Sequence, residues 1–318
     1  MMAAERLREG AVTAVEQCLD VRPDETVLVV TDDQREDIGR ALREAARGSD
    51  AETMLFSIDE TESHGAEPPA PVAAAMRESD VVFAPTTYSL SHTRARHEAC
   101  DAGARVATLP GITEEIFTTS MLADYTEIHE RSTALYRLLE DADDIHVTTP
   151  SGTDITLGVK MKHWHIDDGL LHEPGAFGNL PAGEISGPPI QADGTIVIDS
   201  LKINGEDYAP SGTEVTIKNS KATAISEEDC RLAEAFRDVR NAANLAEIGI
   251  GTNPEATIIG NLLQDEKVMG TCHFAFGDNT SYGGSTDSEI HWDAVLMEPT
   301  IRFDDTLVME DGDFVVGL

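Results

Sequence analysis

The 318-residue chain is short of positive charge: 23 Lys and Arg stand against 59 Asp and Glu, a formal net charge of −36. Such a surface repels a phosphate backbone or an anionic bilayer, so nucleic-acid and membrane-surface partners are not expected. The acids run from Glu5 to Asp313 without a long block, which excludes an acidic tail as their explanation. Lysine is scarcer than arginine, and an acid-rich, lysine-poor surface stays dispersed where salt screens its self-repulsion, pointing to a halophilic setting. Cysteine is also sparse: Cys18, Cys100, Cys230 and Cys272 lie far apart with no C-x-x-C pair, which disfavours a disulfide framework or a thiolate metal site and suits reduced thiols. The start, MMAAERLREG, carries no apolar signal core, and no run approaches ~18 apolar residues. The expected location is cytoplasmic.

Familiar catalytic signatures are missing as well. No G-x-G-x-x-G follows the first apolar run, and no G-x-x-x-x-G-K-[ST], H-E-x-x-H or G-x-S-x-G occurs. What is present is enough apolar residue, 41%, to build a core. Short Val/Leu/Phe runs at 25–33, 51–59, 80–87 and 104–110 alternate with helical stretches near 34–47, 70–78, 92–101 and 119–141. That alternation reads as βαβ units around a buried parallel sheet, Rossmann-like but without a phosphate loop. After about residue 142 the pattern turns to strands and Gly-rich turns: a hairpin at 143–159, further antiparallel strands at 193–203 and 213–225, and strands to the end. One helix interrupts them, with Ser226-Glu227-Glu228-Asp229 as its expected capping start. The expected architecture is a parallel α/β domain over 1–142 and an α+β, mostly antiparallel domain over 143–318.

The unusual polar residues gather between 163 and 293, in Gly/Pro-rich segments. In His291-Trp292-Asp293 the period-two alternation of a strand puts His291 and Asp293 on one face, a compact N/O metal clamp or an ordinary polar strand edge. His273 opens the apolar strand His273-Phe274-Ala275-Phe276-Gly277 with Glu266 seven residues before it, and a histidine among apolar neighbours is more often a satisfied core residue. Glu184 sits in a stiff loop between Pro181-Ala182-Gly183 and Gly187-Pro188-Pro189. Glu247 lies among Ala246, Ile248 and Ile250, and an acid in such a setting must be paired, protonated or metal-bound. Two imidazoles and several carboxylates suit Zn²⁺, Co²⁺, Mn²⁺ or Fe²⁺, with a two-metal hydrolytic centre if all the acids converge. The segment Lys162-His163-Trp164-His165-Ile166-Asp167-Asp168-Gly169 reads either as a cleft lining or, preferably, as a structural hairpin.

The second half resembles the aminopeptidase T/AmpS/PepS family of metallo-aminopeptidases through Gly152-Thr153-Asp154, Asn179-Leu180-Pro181-Ala182-Gly183-Glu184 and Ala246-Glu247-Ile248-Gly249-Ile250-Gly251-Thr252-Asn253-Pro254, then Asp265-Glu266, His273-Phe274-Ala275-Phe276-Gly277 and His291-Trp292-Asp293. The resemblance implies an α/β domain joined to a mostly β domain, a homodimer, and a two-metal site for zinc, cobalt or manganese held by Glu184, Glu247, Glu266, His273, His291 and Asp293. It implies removal of N-terminal residues from short peptides, with Glu184 handling the proton. The family's catalytic tyrosine falls on Thr280 here; Tyr282, two residues on, is either its replacement or a plain loop aromatic. The chain also looks similar to the iron(II)-dependent 2,5-dihydroxypyridine 5,6-dioxygenases, in shorter length, Gly283-Gly284 and the H-x-D strand. Their single iron implies a histidine at the Glu247 position and no acid at the Glu184 position, so the acids here favour the hydrolytic reading. A non-catalytic, metal-binding member of the same fold is the third alternative.

Overall fold

The computed structural model describes residues 2–203 and 205–318. The chain divides into two compact units, one of residues 1–129 with 168–182, the other of residues 130–167 with 183–318. Relative to a boundary after residue 142, residues 130–142 belong with the second unit and 168–182 return to the first.

In the first unit, the apolar runs form a parallel sheet in the order Glu52–Ile58, Thr26–Asp32, Val81–Thr86, Arg105–Pro110, Phe177–Asn179. The central strands are buried on both faces, as parallel strands covered by helices must be. Helices Glu36–Gly48, Ala70–Arg77 and Arg94–Asp101 follow successive strands. Val72, Met76, Ala95 and Ala99 join Leu28, Val30, Val82 and Val106 in one apolar cluster. An N-terminal helix, Met2–Val12, and a π-helical turn, Thr13–Cys18, precede the first strand. The α/β pattern read from the sequence is therefore the observed one.

The second unit is α+β with mostly antiparallel strands, again as expected. An eight-stranded sheet contains the Asp144–Thr148/Asp154–Gly158 hairpin. A five-stranded sheet runs in the order His291–Met297, Thr271–Gly277, Leu245–Gly251, Glu184–Gly187, His165–Asp167, and every pairing in it is antiparallel. Val147, Ile155, Leu157 and Ile196 of the larger sheet share one core with Ile185, Ile248, Phe274, Phe276 and Leu296 of the smaller. The interrupting helix is Arg231–Asp238, capped by the Cys230 sulfur accepting the Ala233 N–H at 3.4 Å. The Ser226 box is not its cap: the Ser226 hydroxyl accepts the Glu214 N–H of the neighbouring strand at 2.9 Å. Among the described residues no helix is long and apolar enough to cross a membrane.

Candidate metal centre

The five-stranded sheet sorts its side chains by the pleat. Ile185, Ile248, Ile250, Cys272, Phe274, Phe276, Ala294 and Leu296 enter the core. The intervening positions, Asp167, Glu184, Glu247, His273, His291 and Asp293, share the opposite face. Register brings them into rows: Glu247 pairs with Ala275 and Ala275 with Asp293, while Glu184 pairs with Asp167. Small residues make room between them. A Cβ on Gly249 would collide with the His273 ring, and one on Gly251 with the Val268 carbonyl. Gly183, at φ +132° and with Asn253 2.7 Å from where a Cβ would stand, places Glu184 at the start of its strand.

Two donor sets result. Glu184, Glu247 and His273 each offer an atom within 4.8 Å of the other two, and so do Glu247, His291 and Asp293. His291 Nε2 lies 2.9 Å from Glu247 Oε2 and 3.5 Å from Asp293 Oδ1, while its Nδ1 is 2.7 Å from the Asp278 carbonyl oxygen. That carbonyl takes the Nδ1–H and aims Nε2 at the carboxylates, the arrangement that fixes a metal-ligating imidazole. His273 Nε2 stands 3.5 Å from Glu184 Oε2 and 3.9 Å from Glu247 Oε1. Glu184 Oε2 and His273 Nδ1 are buried without a hydrogen-bond partner. His273 is thus not the satisfied core histidine that its apolar neighbours suggest.

A buried lysine completes the cluster. Lys267 Nζ is 2.7 Å from Glu184 Oε1, 2.9 Å from Glu266 Oε1 and 3.3 Å from Asp167 Oδ2. Asn261 caps the short Leu262–Asp265 helix that precedes it, and the Lys267 carbonyl accepts the Asn253 N–H at 3.0 Å. Five carboxylates against one ammonium leave 1 − 5 = −4 with neutral imidazoles. The burial of such a charge demands protons or cations. Burial alone would lower His291, but Asp293 and Glu247 outweigh it and hold the imidazole well above the usual histidine range. For His273, burial is likewise outweighed, by Glu247, Glu184 and Asp293, and its value rises to about 9. Burial pushes Glu266 up to about 8 against the opposing pull of Lys267. Glu247 goes the other way: burial would raise it, but the His273 and His291 imidazoles beside it hold it well below the usual carboxylate range. Oxygen and imidazole donors around excess negative charge, with an unpartnered carboxylate oxygen among them, fit a divalent metal ion that would displace the imidazole protons.

Of the six ligand positions expected from the sequence, Glu184, Glu247, His273, His291 and Asp293 fall in the two donor sets. Glu266 does not; its carboxylate is engaged by Lys267. Tyr282 is half-buried, its hydroxyl held well above the usual tyrosine range by burial and by the Glu247 carboxylate, with its ring centroid 6.0 Å from His291 and 5.6 Å from His165. Thr280, at the family's tyrosine position, donates its hydroxyl to Asp278 Oδ1 at 2.8 Å. The 162–169 segment is not a hairpin: His165–Asp167 is the edge strand beside Glu184–Gly187, and Asp167 reaches Lys267. Lys267 is therefore the site residue that sequence reasoning missed, while Asp167 was named only within the 162–169 segment, for which the hairpin reading was preferred. The only hint of Lys267 was a lysine directly after Asp265-Glu266 in a lysine-poor chain.

These features make a candidate metal-binding centre on the polar face of an antiparallel sheet. The sequence profile of the 2,5-dihydroxypyridine 5,6-dioxygenase (NicX) family matches residues 11–316, and the chain belongs to that family. The 2,5-dihydroxypyridine 5,6-dioxygenase of Pseudomonas putida KT2440 is 27% identical over 204 residues, 58% of this chain and 58% of that protein. The aligned stretch thus spans little more than half of that relative. The solved structure of 2,5-dihydroxypyridine dioxygenase from the same strain superposes with a TM-score of 0.82 at 20% identity, covering 99% of this chain and 98% of the other. AmpT from Thermus thermophilus superposes at 0.71 with 18% identity, covering 98% and 99%. The aminopeptidase likeness holds as a likeness of fold, and the family itself is the dioxygenase one that the two central acids had seemed to disfavour.

Proposed function

We propose that the chain is a mononuclear, iron(II)-dependent dioxygenase that cleaves a small hydroxylated aromatic ring of the dihydroxypyridine type. The observation that carries this reading is the anchored His291, which presents Nε2 to Glu247 and Asp293 within a chain that matches the dioxygenase family over residues 11–316. Glu247, His291 and Asp293 would hold the metal, with a carboxylate where the family resemblance implies a second imidazole. The iron, when bound, supplies the coordination positions at which a ring hydroxyl and dioxygen meet. The chain's own residues do the rest. Asp278 holds the His291 tautomer, the apolar face of the sheet fixes donor spacing, and Tyr282 offers its hydroxyl at the half-buried edge of the site.

A second reading, a two-metal aminopeptidase acting on short peptides as a homodimer, is favoured by one feature: Glu247 belongs to both donor sets, as a bridging carboxylate would. In it Glu184 handles the proton and Tyr282 supports the reacting carbonyl. The test separates the two. Protein kept folded in high salt is loaded anaerobically with Fe²⁺ and mixed with 2,5-dihydroxypyridine, and oxygen uptake is followed; parallel samples with Zn²⁺, Co²⁺ or Mn²⁺ receive aminoacyl amides and di- to tetrapeptides. Oxygen uptake with Fe²⁺ alone is the expected result. Peptide hydrolysis without oxygen uptake would overturn the dioxygenase reading.

A further inference from the structure

Three carboxylates converge on one buried ammonium. Asp167 and Glu184 are directly opposed across the antiparallel pair of strands, a placement of like charges that opposes strand pairing unless something lies between them. Lys267 Nζ does, at 3.3 and 2.7 Å, and it also holds its chain neighbour Glu266 at 2.9 Å. The side chain of Lys267 is 3% exposed and that of Glu184 7%, so water contributes little to neutralising them. Three oxygens from three separate carboxylates around one cation is the environment of a hard divalent ion as much as of an ammonium.

We infer that Lys267 is the built-in cation of this site: its ammonium fills a seat, formed by Asp167, Glu184 and Glu266, that a divalent ion would otherwise take, and so limits how many metal ions the chain binds. The ammonium leaves Glu184 only Oε2, its unpartnered oxygen, to offer the His273 side of the cluster. It also removes Glu266 from the ligand pool. Lys267 acts through the acids it holds and is a positioning residue. This inference rests on the reading of the adjacent donor sets as a metal centre, although its own cluster can be tested apart from them.

The experiment counts ions. Wild type, Lys267→Ala and Lys267→Met are titrated with Mn²⁺ by calorimetry and checked by elemental analysis, with unfolding temperatures recorded in chelator and in excess Mn²⁺. Lys267→Ala is expected to bind one Mn²⁺ per chain more than wild type and to recover with Mn²⁺ most of the unfolding temperature it loses in chelator. Lys267→Met, which fills the space with an apolar chain, is expected to show no such gain in ions. If Lys267→Ala does not fold in chelator, Lys267→Ala/Glu266→Gln, with one fewer uncompensated acid, supplies the count and is expected to keep the extra ion at weaker affinity. An unchanged or lower count in folded Lys267→Ala, or full rescue by Lys267→Met without metal, would overturn the inference. A wild type that binds no metal at all, beside a Lys267→Ala that binds one, would retain this seat while removing the proposed iron centre.

Discussion

The two faces of the five-stranded sheet differ by a single residue step along the same strands. Phe274 and Phe276 enter the core while His273 and Ala275, alternating with them, face the charge cluster; Ile248 is buried among carbon while Glu247, one residue away, meets two imidazoles. The apolar face is what specifies the charged one. Sliding a strand by one residue would put acids, or in Thr271–Gly277 His273, into the core, so burial of Phe274, Phe276, Ile248 and Leu296 locks the register that spaces the metal donors. Neither face resembles the parallel sheet of the first unit, whose central strands are buried on both sides and, among the described residues, carry no comparable cluster of acids and imidazoles.

The contrast can be broken most strongly by truncating one side at a time. Phe274→Ala should cost about 3–5 kcal/mol of stability through the cavity it leaves, measured by urea unfolding in high salt, with metal stoichiometry unchanged in the protein that remains folded. Glu247→Ala should do the reverse. It removes the carboxylate common to both donor sets, so Mn²⁺ or Fe²⁺ affinity should fall by roughly 100-fold or more, above the 10–100-fold typical of a group that only supports a ligand. Equal loss of metal in both variants would mean that the faces are not separable.

A pH series sharpens the same comparison, because only one face titrates. In chelator, His273 carries its proton up to about 9 against an ordinary value of 6.5, and Glu266 up to about 8 against 4.5. Both groups bind protons more tightly folded than unfolded. The stability they contribute is complete below the ordinary values and is lost as pH rises through the shifted ones. The chelated protein should therefore lose on the order of a few kcal/mol between pH 6 and pH 9.5. A bound divalent ion replaces the imidazole proton, so the metal-loaded protein should show a shallower decline. Phe274→Ala should lower the whole curve without changing its slope. A flat profile in chelator would remove the charged face as the source.

How much of this was legible depended on whether a local period carried the information. Strands 26–32, 52–58, 81–86 and 105–110 announced themselves as apolar runs between helices, period two placed His291 with Asp293, and apolar neighbours singled out Glu247. Register across the sheet had no such signature. Nothing in the order of residues places Asp167, Glu184 and Glu266 around one lysine, because Glu184 and Lys267 are 83 residues apart in sequence and meet only through long-range pairing. Glu266 stands in the expected ligand set through the family resemblance, and its ion pair with Lys267 has no signature in the sequence. Local competition misled at Ser226 too, where a capping box lost to a strand-edge hydrogen bond and a cysteine took the cap. The N-terminal helix, with little amphipathic contrast, gave no usable period.

The smallest expected effect tests where the charged face ends. Tyr282 lies on a short turn, Thr280–Tyr282, rather than on the sheet, and borders the cluster through its ring beside His291. Tyr282→Phe keeps the ring and deletes one hydroxyl that feels the Glu247 carboxylate from a half-buried position. Stability should fall by about 1 kcal/mol or less, and Mn²⁺ affinity should change less than about fivefold, since Glu247 retains His291 at 2.9 Å. Turnover should fall further than either if the hydroxyl meets substrate, and that split between unchanged metal and reduced rate is what the comparison requires of a residue beside the donor set. A Tyr282→Phe protein that loses its metal would instead make the tyrosine part of the face that holds it, and the boundary between sheet-borne donors and loop-borne chemistry would have to move.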